Sequence, residues 1–472
     1  LIRFKLSLMM FLEFFIWGAW LPLIFGYLPS LGFNELEQAF VTGAFNLAAF
    51  TAMFFGTQFV DRKFAAEKFL AFSHLIGGAA IMGLFWIRQG WSVSVFGRDV
   101  DVTFCAFFSL MLLHSLFYVP TISITNSIAF ANLRDPQHEF GPVRVWGTIG
   151  WIAAAWPFVF ILIDWQRVPT FGSVPNLEWL STALGSGLKD AALRESTRYI
   201  FLVAGIASLV LALFSLALPH TPPRPAQLTG EKFAWLEAMK LLRVPFIFVL
   251  FIVTFFDAAV HQCYFFWTPR FLESTSVAIP GNWVTPIMSI GQVAEIGTMV
   301  FLGFTLKKLG WRYTMAIGIL GHAVRFSVFA FVPAPIPAIV VNLLHGICYA
   351  FFFATVYIFV DEFFPKDARS SAQGLFNFLI LGLGPFASNF LWVYLGKAYA
   401  IPGGVDFQKL FIVPAAIGLG AALLLFLFFH PPQSAVSGGL PPKIEDALAR
   451  DDVWAPPPSE AIEERRDGIR EK

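Results

Sequence analysis

Glu13, Trp17 and Trp20 stand at offsets of four and seven, so a carboxylate and two indoles share one face of a helix. Such a face could bind a polar, planar solute. A protonated Glu bonded to a neighbouring helix, with packed indoles, explains it equally well. Arg144, Thr148 and Trp151 repeat the offsets and supply fixed donors, a donor–acceptor and a stacking plane. The alternative is an Arg near a helix end, snorkelling to the membrane surface. Asp257, His261 and Tyr264 form a third group, with Gln262 beside them. Asp257 and His261, four apart, could pair or exchange a proton, and an imidazole of ordinary pKa, about 6.5, could titrate as protons move. The alternative is a satisfied polar cluster holding a helix contact. Gln292 and Glu295, three apart, share a face. A carboxyl there is a candidate for proton uptake and release as a cation or solute comes and goes; otherwise it pairs structurally with Arg325. Pro120, among His114, Tyr118, Thr121, Thr125 and Asn126, either kinks a cavity-lining helix or marks an ordinary kink satisfied by its threonines.

These groups sit in unusually apolar surroundings. Of 472 residues, 57% are hydrophobic, 17% aromatic and 13% charged, against about 25% charged in a soluble domain. Mean hydropathy is +0.69. Such a chain needs a bilayer as solvent, and an ionisable residue inside a span, at roughly 2.5–3.5 kcal/mol on insertion scales, is a functional hypothesis by default. The net charge of +1 suggests no nucleic-acid partner. The three cysteines are far apart and form neither a disulfide framework nor a zinc site. No Walker loop, HExxH or nucleophile elbow is present, so neither an ATP-driven pump nor an enzyme is expected, and no metal or cofactor.

A span needs about 20 apolar residues. Twelve such runs are expected, near 6–29, 37–60, 67–88, 103–131, 145–164, 197–219, 244–271, 284–306, 313–333, 337–360, 371–396 and 408–429. Ile2 to Tyr27 is too long and apolar for a cleavable signal and reads as the first span. The expected fold is an all-α integral membrane protein of twelve transmembrane helices in two six-helix bundles. Its parts are an N-terminal bundle over 1–219, a linker over 220–243, a C-terminal bundle over 244–430 and a disordered tail over 431–472. The connection 165–196 is long and mixed in character. Lys and Arg number about 16 on the side of the N-terminus and about 9 on the other, which predicts two cytoplasmic termini. Residues 56–63 and 303–312 repeat a Gly followed by a basic turn six spans apart. That pattern resembles the loop signature of the major facilitator superfamily, in which the substrate site lies between the halves near the midplane.

A narrower resemblance is carried by ordered segments: Phe15-Ile-Trp17-Gly18-Ala-Trp20-Leu21, Arg144-Val-Trp146-Gly147-Thr148-Ile149-Gly150, Leu218-Pro219-His220-Thr-Pro222, Ile287-Met288-Ser289-Ile290-Gly-Gln292-Val-Ala-Glu295, Arg325-Phe326 and Arg369-Ser-Ser-Ala372-Gln373-Gly374. Together they resemble the bacterial nucleoside:proton symporters of that superfamily. The resemblance implies uptake of nucleosides, purine or pyrimidine, across the inner (plasma) membrane with protons; a monomer is the expected state. It implies that Arg144, Thr148, Trp151, Gln292 and Glu295 line the nucleoside cavity, with His261 or Gln262, and Tyr264 or Phe265, completing it. Trp17 and Trp20 are added as stacking planes. The family can carry a coupling carboxylate in span ten, where this chain has Ala350. The proton role is therefore expected at Glu295, Asp257, Glu13 or His261. The rival expectations are a symporter for a sugar or another small metabolite, and a membrane sensor that binds a nucleoside without moving it.

Overall fold

A long apolar run has one stable form in hydrocarbon, a helix whose backbone groups bond to one another. The computed structural model describes residues 1–51, 64–95, 98–223, 241–363 and 369–431 and follows that rule. Ten helical segments are long and apolar enough to cross a membrane. One of them, Gly281–Phe331, has 51 residues. At about 1.5 Å per residue it would be more than twice as long as a bilayer core is thick. It is two helices, because Gly310 takes φ 73° and ψ 179° inside it. This is the basic turn expected between spans eight and nine, and a left-handed φ costs glycine nothing. Span two is the shorter helix Glu35–Thr51, which reaches the edge of the described residues. The first copy of the loop signature, 56–63, lies outside the described residues, as do 224–240 of the linker and 432–472 of the tail.

Span five begins earlier than expected, at Pro136. Arg144 is therefore more than two turns inside a helix and not at its end. Spans ten and eleven each contain a π-helical turn, Tyr349–Ala354 and Phe378–Leu383, an irregularity that often marks functional sites. Ala350 lies in the first of these, and the Thr355 hydroxyl donates to its carbonyl at 3.0 Å. Asp406 caps span twelve by accepting the Lys409 amide at 3.1 Å, and that bond holds its carboxyl below the usual range.

Span one packs on spans five and six, and spans three and four pack on one another, in the N-terminal half. In the C-terminal half, span seven packs on eleven and twelve, and the spans eight and nine on ten and twelve. Small residues allow close approach. A Cβ on Gly150 would strike the Phe11 carbonyl at 2.1 Å, and one on Gly346 the Glu295 amide nitrogen at 2.3 Å. The outward faces stay apolar, as at Leu213, Val300 and Phe304. Exposed Trp86, Trp91, Trp156 and Trp165 gather at the end opposite the N-terminus, as an aromatic belt does at a membrane surface.

The connection 165–196 is folded. It carries two short helices, Asn176–Gly185 and Asp190–Thr197. They dock on the start of span eight: the Trp283 indole donates to the Leu184 carbonyl at 2.8 Å, and the Asn282 amide to Val159 and Leu184 carbonyls at 3.2 and 3.1 Å. The halves thus close on each other at this end. Phe25 meets Phe266 at 4.8 Å, Arg270 donates to the Phe25 carbonyl, and Lys397 pairs with Glu35 at 3.2 Å. At the opposite end a surface pocket of the N-terminal half lies between the start of span one and the turn into span five, against Arg3, Asp135 and Trp146.

Candidate functional site

Between the halves, spans one and five face spans seven and eight. Gly18, Pro22, Trp151, Ala155, Phe265, Thr285, Met288, Ser289 and Gln292 line a small gap there. It has room for little more than a water molecule, far short of the roughly 300–1,000 Å3 of an occupied ligand pocket. Trp151 meets Trp17 edge-on at 5.4 Å and Phe265 at 6.0 Å. Trp17 also stacks on Phe45 at 4.8 Å. The Gln292 side-chain oxygen and the Trp17 indole nitrogen are buried with no hydrogen-bond partner among the described residues. The unsatisfied Gln292 oxygen, in a largely apolar and aromatic wall, is what a solute would complete.

Half-buried Arg144 lies with its guanidinium over the Phe14 ring, 4.0 Å from the centroid. It stands on span five, which faces span eight and Glu295 across the interface. Glu295 is half-buried. Thr148 is half-buried one turn from Arg144.

The second constellation is inside the C-terminal half. Arg325 is fully buried. It donates to Nδ1 of His345 at 3.0 Å and to Nδ1 of His322 at 2.8 Å, and lies over the Tyr264 ring at 4.2 Å. The structural pair expected between Arg325 and Glu295 does not form: imidazoles, not a carboxylate, receive the guanidinium. Nε2 of His322 is 3.7 Å from Oδ1 of Asp257. The His261 ring stacks on His345 at 5.0 Å. Asp257 thus faces His322 rather than His261.

Several expected site residues point elsewhere. Tyr264 donates to Asn342 Oδ1 at 2.8 Å within the C-terminal half, while Phe265, the next residue, lines the gap. The helix turns about 100° per residue, and that turn separates their roles. Gln262 donates to Asn389 at 3.0 Å, Asn389 to Asn46 at 3.3 Å, and Asn46 to the Leu381 carbonyl at 2.7 Å. That amide ladder ties spans seven, eleven and two. Trp20 is buried against Phe45 and His114 inside the N-terminal half. Glu13 is also buried there, accepting from Thr121 at 2.7 Å and pairing with His74 at 2.9 Å; His74 in turn meets Ser208 at 2.9 Å. Glu13 belongs to a bundle-internal network and does not join the interface. His74, Ser208, His322, His345, Asn46 and Asn389 were not marked by sequence. Only His322 carried a signal, three residues before Arg325 on the same helix face. Around Pro120 the hydroxyls of Thr121, Ser123 and Thr125 return to backbone carbonyls three residues back, so the kink is satisfied locally. The described residues hold no group of three His, Cys, Asp or Glu arranged for a metal.

An all-helical membrane protein whose halves meet around a central gap closed at one end has the architecture of a major facilitator transporter. A family model described as nucleoside H+ symporter matches residues 1–186 and 177–434, and the chain belongs to that family. It is 31% identical over 413 residues to YegT of Escherichia coli (strain K12), a candidate nucleoside transporter by its name, covering 86% of this chain and 85% of that one. It is 26% identical over 456 residues to the xanthosine permease of the same strain, covering 92% and 97%. The crystal structure of nucleoside transporter NupG superposes with a TM-score of 0.72 at 24% identity, covering 91% and 99%. That of a D-xylose-proton symporter gives 0.64 at 15%, covering 93% and 99%; these two likenesses show the fold.

Proposed function

We propose that this chain imports nucleosides together with protons across the inner membrane by alternating access, as a monomer with both termini in the cytoplasm. The observation that carries the reading is the gap between the halves. Once the gap widens, a planar base would stack on Trp151 and Phe265 of its wall, with Trp17 behind Trp151, where stacking needs no particular base edge. Gln292 supplies an amide for base or ribose. Arg144, Thr148 and Glu295 stand on the same two helices and supply donors and acceptors for hydroxyls. The gap is too small for a nucleoside as it stands, so loading requires the halves to part. The end that carries the docked 165–196 helices is shut, so entry from that side requires those contacts to separate. Of the four expected proton carriers, Glu13 is held inside its bundle, which leaves Glu295 at the interface and the Asp257–His261 pair of positions beside it.

Uptake of labelled uridine or adenosine into proteoliposomes under an inward acid gradient tests this. Saturable accumulation that collapses with a protonophore is expected. Uptake of no nucleoside, or competition by sugars and not nucleosides, would replace the substrate class.

A further inference from the structure

We propose that the proton carrier is Asp257, read out by Arg325 through two histidines, and that Glu295 serves the solute instead. The proposal rests on the symport reading above. A guanidinium has five donors and no acceptor. Arg325 donates to Nδ1 of both His322 and His345, so both nitrogens present lone pairs and both rings are neutral, with their protons on Nε2. The tautomers are therefore set by Arg325. In His322 that Nε2–H faces Oδ1 of Asp257 at 3.7 Å, beyond a hydrogen bond. Neither oxygen of Asp257 has a partner among the described residues. Asp257 and Arg325 are both fully buried, and a buried cation left without a counter-charge is strongly destabilising. Ionised Asp257 is that counter-charge, one imidazole removed.

A proton entering this cluster has few places to go. Nδ1 of His322 and His345 are occupied by Arg325. Protonating either ring would expel the guanidinium, since the nitrogen cannot hold a proton and accept one bond at once. Asp257 has open lone pairs and accepts without breaking a contact. The step breaks one O–H bond of an arriving hydronium, makes one on Asp257, releases water, and takes the Asp257–Arg325 pair from neutral to a single positive charge. His261 marks the route. It is half-buried, stacks on His345 at 5.0 Å, and touches Phe265, a wall of the gap, at 5.4 Å.

Among the described residues, span eight brings a second carboxylate, Glu295, whose backbone packs on Gly346 beside His345, and Glu295→Gln is its control in the test. Span seven adds Cys263 and Tyr264, span nine His322 and Arg325, and span ten His345, Cys348 and Tyr349. Residues 378–396 and 410–428, from the spans packed on span seven, contain no Asp, Glu, His, Lys or Arg. From span one, Glu13 is turned to His74.

The test compares Asp257→Asn with Glu295→Gln in proteoliposomes. Asp257→Asn is expected to keep nucleoside counterflow while its gradient-driven accumulation falls to passive equilibration. Glu295→Gln is expected to weaken counterflow and accumulation together, through a raised KM. Accumulation by Asp257→Asn at the unmodified level would overturn the assignment. A second readout needs no substrate: infrared difference spectra of the purified protein in lipid after a pH jump. A carboxyl band that disappears in Asp257→Asn supports the proposal, and a band that persists in that variant while disappearing in Glu295→Gln refutes it. If the unmodified protein moves no nucleoside, the substrate reading fails while the infrared result still judges Asp257. His322→Gln, which keeps an acceptor for Arg325, is expected to retain a folded, monodisperse protein and to shift the pH dependence of uptake; an unchanged profile counts against the relay.

Discussion

At the scale of single residues, the division of labour separates stacking from charge. Trp151 presents one edge to Trp17 and another to Phe265, and it lines the gap. An aromatic plane under a base contributes roughly 1–3 kcal/mol by alanine substitution. Trp151→Ala should therefore weaken nucleoside binding about 5- to 150-fold, read by calorimetry with the purified protein, with little discrimination between purines and pyrimidines. A loss confined to one base would mean that Trp151 reads an edge and does not stack. Glu295 behaves differently. Hydrogen bonds to charged groups are worth about 1.5–3 kcal/mol, so Glu295→Gln should raise KM for uptake about 10-fold or more and leave the accumulation ratio at saturation intact. A normal KM would remove Glu295 from the solute's contacts. The sequence placed these residues because helical offsets of three and four are explicit in it. It did not show where Arg325 finds its partners, since His345 sits on the next helix and no local spacing joins it to residue 325. The one-residue choice between Tyr264 and Phe265 was equally illegible, because both are aromatic and only the packed neighbours decide which faces the gap.

At the scale of elements, the helices Asn176–Gly185 and Asp190–Thr197 act as a clasp on the start of span eight. Helices of 10 and 8 residues are marginal alone, so tertiary docking holds them, and this is why the sequence left residues 165–196 without a fold while it marked the long apolar spans. Asn282 is fully buried and holds two carbonyls of the opposite half, those of Val159 and Leu184. At about 0.5–1.5 kcal/mol for each bond, Asn282→Ala should shift the balance toward the state open at that end by roughly 5- to 150-fold. A cysteine placed near Phe25 should then label faster with an impermeant maleimide from outside. Unchanged labelling would show that the clasp follows the opening and does not restrain it. The turn at Gly310 is the opposite case. Its glycine and flanking basic residues were readable as a loop even though the helices on either side run into it without a gap.

Across the whole molecule, the two halves are held together at one end, at Phe25 and Phe266, at Glu35 and Lys397, and at Asn282 and Leu184. The gap lies deeper between the halves, so a solute entering from that side must first separate these contacts. The excess of Lys and Arg at the end that carries the N-terminus predicts that this end faces the cytoplasm; a green fluorescent protein fused at the C-terminus should fluoresce, and alkaline phosphatase there should be inactive. If the halves must rock, fixing the closed end stops the cycle without destroying the site. Glu35 and Lys397 are suited to this, because they belong to different halves, pair at 3.2 Å and have accessible side chains. With exposed Cys105 replaced by serine and the other two cysteines buried, a short bismaleimide joining Glu35→Cys to Lys397→Cys should abolish gradient-driven accumulation while nucleoside still binds to the detergent-purified protein. The uncross-linked double variant should lose little, since an exposed ion pair contributes about 0–1 kcal/mol. Continued accumulation after complete cross-linking would mean that the solute passes without separation of the halves at this end, and alternating access around the Trp151 gap would have to be abandoned.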